Sequence, residues 1–275
     1  MRIIIFGSTG FVGRNLVKHL AAKHEIIASS RNAHQASHSV DCLHCDQVKR
    51  ILFEFKPDAI VNATGNKNVK ACQTHKYDAF RTNAHLPMML GRATPPNIKI
   101  IQISTDYVFS ADQKVKTEQL KPKPDTAYGE SKLAGEILLH DSHKNCVSIR
   151  TGGLYDTDHP LILSTINSLT NGFSIDAYDN VCNTPTYIDH LAKYIDYCLR
   201  QDITGVRHFA DLTSASRYEW LKKIASLLGR SKDLIRPIAA PADSLIPSDL
   251  SLLSSYHNSY ATTLDEALTE LLSVK

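Results

Sequence analysis

A tyrosine and a lysine four positions apart are the first residues in this sequence that could do chemistry together. Tyr128 and Lys132 lie in the stretch TAYGESKLAGE (126–136), which is typical of an amphipathic helix. Residues four apart share a helix face, so the ammonium group could stabilise a tyrosinate and lower the pKa of the phenol. The phenol could then donate a proton to a carbonyl oxygen. The spacing is common by chance, and a plain helix face is the competing interpretation.

A hydroxyl group supplies a third member. Thr105 follows the apolar run IKIIQIS (98–104), which predicts a central strand, and its hydroxyl could hydrogen-bond the same carbonyl oxygen. We therefore predict that Thr105, Tyr128 and Lys132 are catalytic. The chemistry they would serve is proton donation as a hydride reaches the carbonyl carbon.

A glycine-rich turn near the start of the chain indicates where the hydride donor would bind. The stretch FGSTGFVG (6–13) follows one predicted strand and opens a helix. Glycine leaves room for a phosphate, and a helix N-terminus attracts one. A strand–helix turn without a ligand is the alternative. The predicted cofactor-binding residues here are Gly7, Ser8, Thr9, Gly10, Phe11, Val12 and Gly13.

The end of the second strand predicts which dinucleotide binds. The segment Ala28–Arg31 carries no acidic residue of the kind that binds an unphosphorylated ribose. Arg31 could pair with a 2′-phosphate and Ser30 could add a hydrogen bond. We therefore predict NADP(H), with NAD(H) as the alternative if Arg31 is only a solvated cation. Asp46 is the predicted partner of the adenine amino group.

Apolar runs and helical patterns alternate through the chain, which predicts an α/β fold with a Rossmann-type doubly wound parallel sheet. The predicted strands are 2–6, 25–29, 41–45, 58–63, 98–104, 146–150, 174–178 and 206–210. The predicted helical segments include 68–91, 159–169, 188–199, 217–228 and 264–272, and residues 230–262 are predicted to be mostly loop.

Two domains are predicted from this pattern. Residues 1–152 would form the NADP-binding Rossmann domain. Residues 153–275 would contribute late sheet strands and a small C-terminal substrate-binding lobe.

Composition excludes several other classes of protein. The 275 residues carry a formal net charge of +3 without a basic cluster, which argues against nucleic-acid binding. No apolar run is long enough for a signal peptide or a membrane span. Cys42 and Cys45 have metal-like spacing, but no second ligand pair follows, so we predict no metal site. The expected compartment is the reducing cytoplasm.

Several motifs together resemble the dTDP-4-dehydrorhamnose reductase family of the extended short-chain dehydrogenases/reductases. They are GSTGFVG, NATG, STDYVF, YGESKLAGE and NTPTYIDHLA, and the similarity covers nearly the whole chain. The sequence departs from the family after Phe109, where Ser110-Ala111-Asp112 follows in place of the usual Asp-Gly and the glycine is missing. This departure bears on sugar specificity and leaves the coenzyme half unaffected.

The resemblance implies further site residues. Its Tyr-x-x-x-Lys pair falls on Tyr128 and Lys132, and its serine/threonine member falls on Thr105. The residues that would contact the cofactor are Ala63, Thr64 and Gly65, and Lys132 would also hold the nicotinamide ribose. Asn83 matches a family asparagine beside the catalytic strand. The residues that would lie on the substrate side are Ser104, Asp106, Tyr107, Arg150, Thr184 and Thr186.

The family further implies an NADPH-dependent reductase of a 4-keto nucleotide sugar in deoxysugar or cell-surface polysaccharide biosynthesis. Two alternatives stay open at this point. One is a nucleotide-sugar epimerase or dehydratase, and the other is a non-catalytic NADP-binding regulatory subunit. Homodimers are common among the relatives, and nothing in the sequence fixes an interface.

Overall fold

Strands and helices alternate through the first half of the chain, as the sequence predicted. The structure is a computed structural model that describes residues 1–31, 37–241 and 244–273. Its strands are β1 (Arg2–Phe6), β2 (Glu25–Ser30), β3 (His38–Ser39), β4 (Ala59–Asn62), β5 (Lys99–Ile103), β6 (Cys146–Arg150), β7 (Leu154–Tyr155), β8 (Ile175–Tyr178), β9 (Cys182–Asn183), β10 (Thr186–Tyr187), β11 (Gly205–His208), β12 (Ala215–Ser216) and β13 (Ile235–Ile238).

The helices fall between these strands. They are α1 (Phe11–Leu20), α2 (Cys45–Phe55), α3 (Val69–Thr74), α4 (Lys76–Phe80), α5 (Leu86–Ala93), α6 (Ala127–Ser142), α7 (Pro160–Thr170), α8 (Ile188–Arg200), α9 (Arg217–Leu227) and α10 (Leu264–Ser273). Shorter helical turns are a π-helical turn at Arg81–His85 and 3-10 turns at Asp106–Val108 and Lys232–Leu234.

Seven strands form the central sheet in the order β11-β6-β5-β4-β1-β2-β3. The pairings from β3 to β6 are parallel. The chain moves outward from β1 in one direction and then from β4 in the other, which is the doubly wound arrangement. The predicted fold class is confirmed. In such sheets, ligands bind at the carboxyl ends of the strands where the order reverses, here at β1 and β4.

The chain divides into two compact units whose segments alternate along the sequence. The first contains residues 1–109, 121–150 and 192–207, and the second contains 110–120, 151–191 and 208–275. A change of unit falls between Arg150 and Thr151, close to the predicted boundary at residue 152. The single predicted boundary differs from this division in two places. It puts residues 110–120 in the first domain, but they belong to the second unit, and it puts 192–207 in the second domain, but they belong to the first unit.

Each unit has its own apolar core. In the first, alternate residues of the buried strands pack with α2, α5 and α6, and Ile4, Ile60 and Ile100 are fully buried there. In the second, α9 and α10 pack around Trp220 and Tyr155, whose rings lie 5.0 Å apart. Among the described residues, no helix combines the length and the apolar character needed to cross a bilayer.

The prediction of a third strand over 41–45 is wrong. The strand β3 is shorter and earlier, and residues 41–44 form a turn before α2 begins at Cys45. The carboxylate of Asp41 accepts the N–H of Leu43 at 3.0 Å, and the Gln47 side chain accepts the N–H of Asp41 at 2.9 Å. These side-chain bonds satisfy backbone groups locally, so turn chemistry prevails over the apolar pattern.

The predicted helical segment over 68–91 is interrupted by the π-helical turn. Pro87 lies at the start of α5, and proline has no N–H to donate to the carbonyl four residues earlier, which belongs to Asn83. The wider turn therefore follows from the proline. In the segment predicted to be loop, β13 was missed, and it pairs with β8.

Candidate active site

The turn after β1 is shaped by its glycines. Gly7 has φ +78°, and a Cβ atom there would lie 2.8 Å from the carbonyl oxygen of Ala63. A larger residue would therefore be strained and would collide with the turn after β4. Gly10 is the N-cap of α1 and has no side chain to cap it, which leaves the first-turn N–H groups for an anion.

A cavity lies at the carboxyl ends of β1, β2 and β4. It brings together nine of the predicted or strand-end residues and six that the sequence did not single out. The former are Phe6, Gly7, Thr9, Gly10, Ser30, Arg31, Ala63, Thr64 and Gly65. The latter are Val40, Asp41, Cys42, Leu43, Thr82 and Leu86. The lining combines backbone, hydroxyl and cationic groups with apolar side chains, which suits a dinucleotide.

Four residues of the predicted glycine turn support this cavity without lining it. Ser8 is buried, and both its N–H and its hydroxyl donate to the carbonyl of Ser29, which ties the turn to β2. A Cβ at Gly13 would lie 2.1 Å from the Gly7 carbonyl oxygen, so its role is close packing. Phe11 and Val12 are half-buried in the first turn of α1.

The predicted adenine partner, Asp46, is exposed in the first turn of α2 and is not among the cavity-lining residues that the structure describes. Asp41 lines the cavity instead. Asp41 reaches the cavity because residues 41–44 form a turn where a strand was expected. We therefore revise the predicted adenine partner to Asp41. In the sequence, an acidic residue shortly after the short strand β3 could have indicated it.

The turn after β4 is held by the side chain of Asn62. Its Oδ1 accepts both the N–H of Thr64 at 3.1 Å and the Thr64 hydroxyl at 2.6 Å. Asn62 is fully buried, and its Nδ2 donates to Gln102 Oε1 at 2.6 Å. This asparagine therefore fixes Thr64 and Gly65 at the edge of the cavity.

The helix α6 presents Tyr128 to the end of β5. Thr126 is the N-cap, and its side chain accepts the N–H of Gly129 at 3.1 Å. A Cβ at Gly129 would lie 1.9 Å from the carbonyl oxygen of Tyr107. Glycine is therefore needed for α6 to approach the loop after β5 this closely.

The phenol of Tyr128 hydrogen-bonds the side chain of Thr105. Burial of the hydroxyl raises its pKa above the ordinary value, the Thr105 hydrogen bond lowers it in part, and the Asp106 carboxylate raises it. The expectation of a lowered pKa is wrong for this structure, because burial outweighs the favourable contacts. The group therefore stays protonated at neutral pH, which suits a proton donor.

The ammonium group of Lys132 reaches the same strand end. Its Nζ donates to the carbonyl of Ile103 at 2.7 Å, and a Cβ at Gly65 would lie 3.9 Å from Nζ. Burial lowers the pKa of Lys132 to about 8, against the opposing effect of Glu136. Thr105, Tyr128 and Lys132 thus converge at the end of β5, with the lysine beside the cavity.

A buried ion pair lies one turn beyond the lysine on α6. Glu136 accepts from Nη2 of Arg150 at 2.7 Å and from its Nε at 3.0 Å, and it also accepts the Ser104 hydroxyl. The guanidinium carbon lies 5.2 Å from the centre of the Phe109 ring. Ser104 and Arg150 were predicted to bind substrate, but these contacts favour a role in fixing the end of β5 against α6.

Comparison with known proteins identifies the family. The family described as an RmlD substrate binding domain matches residues 1–263. The chain belongs to this family. The resemblance drawn from the sequence motifs is therefore confirmed.

Two relatives of this RmlD-family chain have different roles. A probable dTDP-4,6-dihydroxy-2-methyloxan-3-one 4-ketoreductase of Streptomyces antibioticus is 28% identical over 247 residues, covering 88% of this chain and 82% of the relative. Methionine adenosyltransferase 2 subunit beta of Bos taurus is 24% identical over 252 residues, covering 86% and 75% of the two chains.

A solved structure shows that the fold is shared. The dTDP-4-dehydrorhamnose reductase of Bacillus anthracis, crystallised in complex with NADP, matches with a TM-score of 0.89 at 22% identity. The match covers 100% of this chain and 99% of that one.

The π-helical turn of this RmlD-family chain carries a further supporting residue. Asn83 is buried, and its Oδ1 accepts the N–H of Asn66 at 2.7 Å. Its Nδ2 donates to the Asn66 carbonyl and to the Ser131 hydroxyl, both at 3.0 Å. Asn83 therefore links α6, between Tyr128 and Lys132, to the chain beyond Gly65.

The remaining predicted substrate residues divide between the two units. In the first, Asp106 is buried and accepts the Thr105 hydroxyl at 2.9 Å, and the Tyr107 ring lies edge-on to Tyr128 at 5.4 Å. In the second, Thr184 accepts the N–H of Leu252, and the Thr186 hydroxyl donates to the Thr184 carbonyl. The substrate roles of all four stay predictions.

Proposed function

We propose that this chain is an NADPH-dependent reductase of a 4-keto nucleotide sugar. The observation that carries the proposal is the convergence of Thr105, Tyr128 and Lys132 at the end of β5, beside the cavity at the glycine turn. The names of the family's reductases support the same reaction class.

The cavity fits a dinucleotide on its own geometry. Gly7 permits the close turn against Ala63, and Gly10 places no side chain at the N-terminus of α1, where a phosphate would bind. Arg31 and Ser30 would take the 2′-phosphate, Thr64 and Gly65 would contact the ribose and phosphates, and the carboxylate of Asp41 would take the adenine amino group. When bound, the cofactor supplies the hydride.

The side chains at the end of β5 supply the proton. Tyr128 would donate its phenolic proton to the keto oxygen as the carbonyl carbon is reduced to an alcohol. Thr105 would hydrogen-bond the same oxygen, and Lys132 would hold the nicotinamide ribose and stabilise the tyrosinate that forms. In the structure the Thr105 hydroxyl donates to the Asp106 carboxylate, and because it has one proton to donate it would turn from Asp106 to the keto oxygen when the substrate binds.

The pKa of Lys132 predicts the basic limb of the pH profile. The lysine acts as a cation, and its pKa lies at about 8, so its charge is present below that pH and lost above it. Turnover should therefore fall as the pH rises through about 8. A kcat profile from pH 6 to 10 measures this, and constant kcat up to pH 10 would contradict the assigned charge.

Arg31 predicts the preference for NADPH. Replacing Arg31 with alanine should raise the Kd for NADPH by about 10- to 100-fold, because a hydrogen bond to a charged group contributes about 1.5–3 kcal/mol. The Kd for NADH should change little. Fluorescence titration with both cofactors measures this. Arg50, an exposed arginine of α2, is the matched control, and its replacement should leave both constants unchanged.

The function itself is tested with a panel of dTDP- and UDP-linked 4-keto sugars, following NADPH oxidation at 340 nm, the absorbance band of the reduced nicotinamide. One NADPH consumed per sugar indicates reduction, whereas conversion without net consumption indicates an epimerase. Failure of every keto sugar, with NADPH still bound, would reject the proposal.

A non-catalytic regulatory subunit is the second candidate function. It is favoured by the bovine relative, which is named as a subunit of an adenosyltransferase. The intact Thr105, Tyr128 and Lys132 favour catalysis. Co-purification with a larger enzyme, together with no turnover on the panel, would favour the regulatory role.

The six cysteines are all free thiols, which supports a reducing compartment such as the cytoplasm.

A further inference from the structure

A buried glutamine interrupts the apolar strand β5 beneath the catalytic helix. Gln102 is 2% exposed, and it pairs in register with Asn62 of β4 on one side and Ser148 of β6 on the other. Residues paired in register point to the same face of a sheet. Ile100, two residues earlier on that face, belongs to the apolar core. Gln102 is therefore a polar side chain on the face of β5 that otherwise packs into the apolar core.

Gln102 joins two parts of the site that are remote in sequence. Its Oε1 accepts from Asn62 Nδ2 at 2.6 Å, and its Nε2 donates to the Ile103 carbonyl at 3.0 Å. The same carbonyl accepts from Lys132 Nζ at 2.7 Å. Asn62 in turn holds Thr64, which lines the cavity. An unbroken chain of hydrogen bonds therefore runs from Thr64 to the ammonium group of Lys132.

The direction of this chain is fixed by the backbone. The N–H of Thr64 can only donate, so the atom of Asn62 that faces it must be the oxygen. The Asn62 amide nitrogen then faces Gln102, which must present its oxygen in return. The nitrogen of Gln102 is thereby directed to the Ile103 carbonyl, and each amide has one arrangement.

The Ile103 carbonyl has two lone pairs, and the two donors occupy both of them. Because Gln102 takes one position, Lys132 is confined to the other. Its remaining two N–H donors are then held for a ligand. Without Gln102, the ammonium group could move between the two lone pairs.

We propose that Gln102 is a positioning residue that orients the Lys132 ammonium by linking it to the cofactor-binding turn at Thr64. The inference rests on the proposed function, since Lys132 is assigned to the nicotinamide ribose and to the tyrosinate. It goes beyond it in naming a residue of β5 that touches neither cofactor nor substrate.

Two variants of Gln102 test the role. Gln102→Met keeps the length of the side chain and removes both hydrogen bonds. Gln102→Glu keeps an acceptor for Asn62 and places a carboxylate near the ammonium group. Both variants should raise the pKa of Lys132. In Gln102→Met the Ile103 carbonyl accepts from Lys132 alone, which strengthens that hydrogen bond. In Gln102→Glu the new carboxylate attracts the ammonium group directly. The basic limb of the kcat profile should therefore move to higher pH, further for Gln102→Glu.

Ser148 provides the matched control. It is fully buried, it is the register neighbour of Gln102 on the same face, and its hydroxyl bonds His140 at 3.0 Å instead of Lys132. Ser148→Ala removes a buried polar group from the same row. It should lower thermal stability as Gln102→Met does, and leave the position of the basic limb unchanged.

The charged groups around Lys132 are kept constant in these variants. Glu136, on the helix itself, acts on Lys132 and is paired with Arg150 at the end of β6, while Asp106 and the Cys72 thiol act on Tyr128. The charged side chains of α3, α4 and the π-helical turn are exposed. A shift of the limb therefore reports on Gln102.

The measurements are kcat and the KM of the keto sugar from pH 6 to 10, with the NADPH Kd measured by fluorescence in the same buffers. We expect Gln102→Met to lower kcat by about tenfold at pH 7, the effect of one hydrogen bond of ordinary strength, with the sugar KM unchanged. A basic limb that stays in place in both Gln102 variants would overturn the proposal.

Failure of this inference can be told apart from failure of the proposed function. If the wild-type protein binds NADPH but reduces no keto sugar, the proposed function fails. The pH dependence of NADPH binding then still reports the charge of Lys132, and it should shift in both Gln102 variants but not in Ser148→Ala. If Gln102→Met does not fold, Gln102→Glu decides the question, since it retains the bond from Asn62.

Discussion

Replacing Tyr128 with phenylalanine should lower kcat by about 10³-fold, because a positioned general acid contributes about 10²- to 10⁴-fold to the rate. The phenol lies beside Thr105 at the end of β5, and burial keeps it protonated at neutral pH by raising its pKa. Phenylalanine keeps the ring against Tyr107 and removes only the hydroxyl. Steady-state rates of NADPH oxidation with the best keto sugar of the panel measure the loss.

Two controls accompany this variant. The Kd for NADPH should stay within about twofold, a difference of roughly 0.4 kcal/mol, which separates lost chemistry from lost binding. Tyr77, an exposed tyrosine of α4, is the matched replacement, and Tyr77→Phe should keep wild-type turnover. Wild-type kcat in Tyr128→Phe would exclude the phenol as the proton donor.

Glu136 predicts the largest effect on stability. Replacing it with alanine should lower the free energy of unfolding by about 3–5 kcal/mol, because removing one partner of a buried ion pair leaves the other charge uncompensated. Arg150 is 4% exposed and bonds Glu136 through two nitrogens, so the variant would remove this carboxylate from a buried guanidinium. Urea denaturation of both proteins measures the difference.

A double replacement separates the pair from the packing around it. With Arg150→Met added to Glu136→Leu, both charges are gone, and much of the lost stability should return because apolar groups of similar volume can replace a buried pair. Glu130→Ala, at an exposed position in the first turn of the same helix, should change stability by less than about 1 kcal/mol. Equal losses in Glu136→Leu alone and in the double variant would show that the ion pair does not account for the effect.

The convergence of the catalytic residues could be predicted because it depends on regular elements. The strand before Thr105 is mostly apolar, and Tyr128 and Lys132 are four positions apart in a stretch typical of an amphipathic helix. Parallel strands in a doubly wound sheet bring such ends to one edge. The glycine turn could also be predicted from the sequence, because the turn needs a positive φ at Gly7 and glycine adopts it readily.

Features that depend on side-chain bonds across the sheet could not be predicted. Gln102 was part of an apolar strand pattern, and its partner in register is forty positions earlier in the chain. The pKa of Tyr128 was expected to fall because of Lys132, yet burial raises it, and burial is set by packing rather than by spacing. The contact of Arg150 with Glu136 also depends on packing, and it favours a structural role over the predicted substrate role.

Asp41 shows a third kind of limit. The segment after β2 contains several apolar residues and cysteines that predict a strand, but one Asx turn at Asp41 redirects the chain. That turn decides which acid borders the cavity. A local side-chain hydrogen bond of this kind depends on one residue. A hydrophobic pattern averaged over several residues therefore does not reveal it.

The alternation of the two units along the chain has a consequence for biosynthesis. The central sheet receives its last strand, β11, only at Gly205–His208, after the second unit has already contributed residues 110–120 and 151–191. A nascent polypeptide emerging from the ribosome therefore cannot finish the nucleotide-binding half first, as a chain with consecutive domains would. From the synthesis of β6 at Cys146–Arg150 until β11 follows, β6 is an unpaired edge of the sheet, and we expect a chaperone to be needed in this interval.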